Sequence, residues 1–211
     1  MDNPSVKNII FDLGAVLLNI DFSATTQTFA RLAGRDATWV DEKTNQFQCF
    51  LPYESGQWTD EQFRSAVRTT LELPLEDEAI DEAWNALLLD FPPERIALLQ
   101  WLKSRYRTFL LSNTNPIHFR AVEGILARDT GLRSLHPLFE KVYLSYEMKT
   151  VKPLPEIYER VLQDNGLVPN ETVFFDDNLL NIQGAQSLGI QSVAVRSPQT
   201  ILDYFPNAPR R

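Results

Sequence analysis

The chain has 211 residues, 44% hydrophobic and 23% charged, with a formal net charge of −8. This is the make-up of an ordinary globular protein, long enough for one large domain or a core with an insertion. The acidic balance excludes the basic footprint of a nucleic-acid binder, and no apolar run approaches the roughly 20 residues that span a bilayer. Cys49 is the only cysteine, which rules out an intrachain disulfide. With no basic-then-apolar leader at the N-terminus, a cytoplasmic protein is expected.

The run Val6-Lys7-Asn8-Ile9-Ile10-Phe11 predicts a strand over Lys7–Asp12 that closes on an acid. Residues 19–91 then read as all-helical. Thr59-x-x-Gln62 forms a capping box ahead of Phe63, Ala66, Val67 and Leu71. Ile80, Ala83, Trp84, Leu87 and Leu88 form a second apolar stripe. Pro92-Pro93 marks a return to core-type sequence, with Ile96, Leu99 and Leu102 on one helix face.

From there strands and helices alternate. Thr108–Ser112 is a strand, followed by a helix capped by Asn115 with Pro116 at its first position. Val142–Ser145 is the next strand. Pro155 starts a helix with Ile157, Tyr158, Val161 and Leu162 on one face and Gly166 as its stop. Thr172–Asp176 is a strand. Asn178 caps a helix with Leu179, Ile182, Ala185 and Leu188 inward, and Ser192–Val195 is the last strand. This order predicts an α/β fold: a doubly wound, Rossmann-like parallel sheet covered on both faces. Residues 1–18 and 92–211 would form that core, with 19–91 inserted as a small α-helical cap. The tail after Pro206 is expected to be loose.

Four polar segments stand where strands end or helices begin: Asp12, Ser112-Asn113, Lys152 and Asp176-Asp177. Open α/β sheets bind ligands beyond the carboxyl ends of their strands, so these segments can meet in one crevice. A carboxylate at Asp12 can coordinate a metal with one oxygen and attack phosphorus with the other. Gly14 allows a tight turn and offers its carbonyl to the same ion. Ser112, Asn113 and the following helix start suit phosphate oxygens. The Lys152 ammonium can face both Asp12 and a phosphate. Asp176 and Asp177 repel one another without a cation. With no His/Cys cluster to suit zinc, Mg²⁺ fits the donor set, and Asn181 is placed to orient an acid. Each segment alone also reads as ordinary turn, cap or loop residues. Their combination is specific.

Taken together, Phe11-Asp12-Leu13-Gly14-Ala15-Val16, Leu111-Ser112-Asn113-Thr114, Lys152-Pro153 and Phe174-Phe175-Asp176-Asp177-x-x-x-Asn181 resemble the haloacid dehalogenase-like hydrolase superfamily over nearly the whole chain. Within it, the resemblance is strongest to bacterial sugar phosphatases acting on α-D-glucose 1-phosphate, and Glu54-x-Gly56 ahead of Thr59 shares it. It implies a phosphatase of a small phosphorylated metabolite, Mg²⁺ dependence and an aspartyl-phosphate intermediate. Asp12 is the expected nucleophile and Lys152 its catalytic partner. The metal is expected on Asp12, the Gly14 carbonyl and Asp177, with Asp176 as an adjacent ligand or outer partner. Ser112, Asn113 and Lys152 would grip the phosphoryl group.

Most phosphatases of this superfamily carry a second Asp two residues after the nucleophile as general acid and base; here that position is Gly14. Glu54 is the candidate replacement, with a solvated surface residue as the alternative. A phosphoglucomutase is disfavoured by Gly14, and a metal-free dehalogenase by the Asp176-Asp177 pair. A sugar-phosphate sensor with negligible turnover stays open. His118 and His136 are expected at the surface or in packing. The four tryptophans are expected in packing, with Trp58 near the substrate face.

Overall fold

Alternate residues of the short apolar runs go to opposite faces of one sheet, as a parallel sheet buried on both sides requires. The structure, a computed structural model, describes residues 5–45 and 47–209. Among these, β1 (Asn8–Phe11), β2 (Arg107–Ser112), β3 (Lys141–Leu144), β4 (Thr172–Asp176) and β5 (Gln191–Ala194) form a parallel sheet in the order β3-β2-β1-β4-β5. Ile9, Phe11, Leu110, Val173 and Phe175 point to one apolar cluster; Ile10, Phe109, Leu111 and Phe174 point to another. The first is covered by α6 (Pro93–Lys103) through Leu98, Leu99 and Leu102, and by α7 (Pro116–Thr130) through Val122 and Leu126. The second is covered by α9 (Pro155–Asn165) through Ile157, Tyr158 and Val161, and by α10 (Leu179–Gln186) through Ile182 and Ala185. A short helix, α8 (Ser145–Met148), follows β3.

Between β1 and α6 lie α1 (Phe22–Ala33), α2 (Ala37–Thr44), α3 (Leu51–Glu54), α4 (Asp60–Leu71) and α5 (Asp77–Asn85). They hold a third cluster of their own, built on aromatic contacts. The Tyr53 and Phe63 rings stack at 4.4 Å, and Phe63 packs on Trp84 at 4.9 Å. The Thr59–Gln62 capping box is present at the start of α4. The two segments joining this insertion to the sheet are laced together. The backbone N–H groups of Asn19 and Asp21 donate to the carbonyls of Asp90 and Leu87, each at 2.9 Å, and Leu89 N–H donates to Asn19 at 3.0 Å.

Several elements differ from the sequence expectation. Leu87 and Leu88 lie past the end of α5, because Leu88 pairs with Ile20 in the laced segment. Leu179 is exposed, since it opens the first turn of α10 rather than facing the sheet. The tail is not loose as far as Ala208, which is buried against the first cluster; Arg210 and Arg211 lie outside the described residues. No helix among the described residues is long and apolar enough to cross a membrane.

Candidate active site

β1 is flanked by β2 on one side and β4 on the other, so the winding reverses there and a crevice opens at the carboxyl ends. Asp12 continues β1; its N–H donates to Phe175 at 2.8 Å. The register Phe11 opposite Phe175 sets Asp12 beside Asp176, the last residue of β4. Lys152 reaches in from the segment before α9. Its Nζ is 2.7 Å from Asp12 Oδ1 and 2.7 Å from Asp176 Oδ2, with the lysine side chain 1% exposed.

The surrounding bonds assign different roles to the acids. Asp176 is fully buried and saturated. Its Oδ1 accepts from Asn178 N–H at 2.8 Å and from Asn181 Nδ2 at 3.0 Å, and its Oδ2 accepts from Lys152. Asp177 is half-buried and makes no ion pair among the described residues. One carboxylate oxygen each from Asp12, Asp176 and Asp177 lie within 4.8 Å of one another. The three acids therefore share a single ammonium, which bonds Asp12 and Asp176 only. Burial pushes Asp12 up; Lys152 pulls it back and Asp176 adds to the rise, for a net increase. Burial and then Asp176 raise Asp177 as well. Burial alone would lower Lys152, but the pull of Asp12 and Asp176 outweighs it and raises the ammonium.

Asn113 lines the crevice with its side-chain amide already engaged. Its amide clamps the backbone of Lys152: Nδ2 donates to the Lys152 carbonyl at 2.9 Å, and Lys152 N–H donates to Oδ1 at 2.8 Å. With both ends of the amide engaged, Asn113 positions the lysine. Ser112 is buried and lines the same cavity of about 390 Å³, together with Asp12, Gly14, Lys152 and Asp177.

The helical insertion supplies the opposite wall. Glu54, the last residue of α3, lines the cavity and its carboxylate takes no hydrogen bond among the described residues. Burial raises its pKa. Its carbonyl accepts from the Ser145 hydroxyl at 2.8 Å, which ties the end of α3 to the start of α8. Gly56 explains why the motif needs glycine: φ is +67°, and a β-carbon would sit 2.0 Å from the Tyr146 carbonyl oxygen. At Gly14 a β-carbon would meet Ile20 Cδ1 at 3.2 Å, so Ile20 borders the space a side chain there would take.

Two residues were under-read in the sequence. Trp84, rather than Trp58, lines the cavity, while Trp58 packs on the insertion's own cluster. His118 is buried in the cavity wall, stacked on Trp84 at 4.8 Å and 10°. The spacing Asn115-x-x-His118 at a helix start was the available signal, since Asn115 bonds both the His118 backbone and its ring.

The profile of the haloacid dehalogenase-like hydrolases matches residues 6–189. The chain belongs to this family. It is 30% identical to the D-ribitol-5-phosphate phosphatase of Bacteroides thetaiotaomicron, across 89% of this chain and 90% of that protein. Among solved structures, the haloacid dehalogenase family enzyme BT-2542 of the same organism, in complex with magnesium and inorganic phosphate, is 37% identical. It superposes with a TM-score of 0.85, covering 95% of this chain and 99% of that one. A haloacid dehalogenase-like hydrolase from Porphyromonas gingivalis is 29% identical with a TM-score of 0.83, covering 96% and 95% of the two chains. The L-2-haloacid dehalogenase of Xanthobacter autotrophicus, at 23% identity and a TM-score of 0.60, shares the fold.

Proposed function

We propose that this hydrolase is a Mg²⁺-dependent phosphatase of small phosphorylated metabolites, with sugar and sugar-alcohol phosphates as its substrate class. The observation that carries the reading is the convergence of Asp12, Asp176 and Asp177 on one another, with one ammonium bonding only the first two. Three hard oxygen donors without His or Cys suit magnesium. Asp12, Asp177 and the Gly14 carbonyl would hold it, with the saturated Asp176 beside them as an outer partner. Bound there, the ion neutralises the like charges and polarises the phosphoryl group.

The chain's own residues do the rest. Lys152 holds Asp12 Oδ1 and fixes the carboxylate for in-line attack on phosphorus by its free oxygen. The Ser112 hydroxyl, the Asn113 backbone N–H and Lys152 donate to the phosphoryl oxygens. The P–O bond to the alcohol breaks as the Asp12–phosphorus bond forms. Gly14 cannot protonate the departing alkoxide, so Glu54, whose pKa burial raises, donates that proton. Water, giving its proton back to Glu54, then attacks the aspartyl phosphate, releases inorganic phosphate and restores Asp12. The insertion acts as a cap that excludes water and selects the alcohol.

A Mg²⁺-supplemented phosphate-release screen over sugar phosphates, polyol phosphates, nucleotides and pyrophosphate tests the reading. Ribitol 5-phosphate, the substrate named for the 30%-identical relative, and glucose 1-phosphate are the first compounds to compare. Asp12→Asn is expected to stay folded and lose turnover, and retained activity in that variant refutes the mechanism. Glu54→Gln is expected to flatten one limb of the pH–rate profile, and an unchanged profile removes Glu54 from it. Gly14 favours one rival, a sugar-phosphate-binding protein without turnover, which would show thermal stabilisation by the ligand and no phosphate release.

A further inference from the structure

A second cavity, of about 460 Å³, lies against the first and shares Ile20 and Asp177 with it. Its other walls are Ala15 and Asn19 from the segment leading into the insertion, Arg95 from α6, and residues 195–200 after β5. Arg95 is the unusual member. It is 7% exposed, forms no salt bridge or side-chain hydrogen bond among the described residues, and its Nη1 is enclosed without an acceptor. Asp90 and Glu94 act on it only at a distance.

A buried lysine can solve such a problem by losing its proton; a guanidinium cannot. An enclosed, unpaired arginine is among the costliest groups a fold can hold, and its fork of N–H donors matches an oxyanion. The rest of the wall is consistent with that partner. Arg196 is exposed on the same cavity, and the only hydrogen bond of its side chain among the described residues is a long one of 3.4 Å from Nε to the Asp177 carbonyl. Ser197 adds a hydroxyl; that of Thr200 caps the turn at 201–204 and donates to Asp203 Oδ2 at 3.3 Å. The one acid in the wall is Asp177. Two arginines therefore face a single carboxylate, which itself belongs to the candidate metal cluster.

We propose that this second cavity binds a small phosphate-type oxyanion, held by Arg95 and Arg196 with the hydroxyl of Ser197. The bound anion bridges the base of the helical insertion, at Asn19 and Ile20, to the loop after β5. It thereby ties the insertion's hinge segment to the wall of the catalytic cavity. The site is distinct from the phosphoryl position at Asp12, so it does not depend on the phosphatase reading.

The test is calorimetric titration of inorganic phosphate into the full chain saturated with Mg²⁺. Two phosphates per chain are expected in the wild type and one in Arg95→Met. Arg196→Gln and Ser197→Ala, whose side chains are exposed, are each expected to keep both sites and weaken the second by roughly tenfold. These variants keep the test decisive should Arg95→Met fail to fold. A single phosphate per chain in the wild type, bound just as tightly by Arg95→Met, Arg196→Gln and Ser197→Ala, overturns the proposal. So does a second site whose affinity is the same in Arg196→Gln and Ser197→Ala as in the wild type.

Discussion

His118 makes the protein's stability depend on acidity in a way that can be worked out from its bonds. Asn115 Oδ1 accepts from the His118 backbone N–H at 3.0 Å and from Trp84 Nε1 at 3.3 Å. That leaves Asn115 Nδ2 to donate to His118 Nδ1 at 3.0 Å, while His118 Nε2–H donates to the Trp84 carbonyl at 3.0 Å. The ring is thus held neutral with its proton on Nε2. A second proton would set N–H against N–H in a buried site. Burial lowers the pKa from 6.5 to about 4, against a smaller opposing pull from the Trp84 carbonyl.

The group is depressed in the folded state, so the unfolded chain binds more protons between these two values. Stability from His118 is complete above about pH 6.5 and is lost as pH falls toward about 4. At 1.36 kcal/mol per unit the full loss is about 3 kcal/mol, and about 2 kcal/mol falls between pH 7 and pH 5. Asp12, Glu54 and Asp177, whose values are raised, change stability in the opposite sense, so the measurement must be a difference. His118→Gln keeps a donor and an acceptor and does not titrate. Urea denaturation of both proteins in chelator-containing buffer at the two pH values gives the comparison. The wild type is expected to lose about 2 kcal/mol more than the variant. Parallel losses refute the argument, as does an NMR titration of the His118 ring with an ordinary midpoint.

Lys152→Met strands Asp12 and Asp176 in a buried site without their cation, and about 3–5 kcal/mol of destabilisation is expected in denaturant melts, along with loss of activity. A variant as stable as the wild type would show the triad to be more solvated than its burial indicates. Asp177→Asn removes a carboxylate that no ion pair holds, so the fold is expected to persist while the Mg²⁺-dependent rise in Tm disappears. An undiminished rise would place the ion elsewhere.

The fold was legible because its signals are local. The residue pairs Asn115-Pro116 and Thr59/Gln62 mark helix starts by satisfying free backbone N–H groups, and both act as caps in the structure. Short β-branched and aromatic runs closing on Asp12, Ser112 and Asp176 required strands with polar ends, and the structure places all three at the carboxyl edge of one sheet. Leu87, Leu88 and Leu179 were misread because apolar periodicity continues past the point where a helix stops or begins to face its neighbours.

The sequence by itself determined which residue types could do chemistry here, and in what order along the chain, since strand-end position follows from local pattern. Which group each one touches was decided only by the tertiary structure. That Asn113 holds the Lys152 backbone, that Asp176 is saturated while Asp177 is not, and that Arg95 has no acceptor all depend on side chains from distant segments competing for the same few hydrogen bonds. Such competition is a three-dimensional property. Lys152 and Asp12 are 140 residues apart in the chain and 2.7 Å apart in space, and no local pattern encodes that distance.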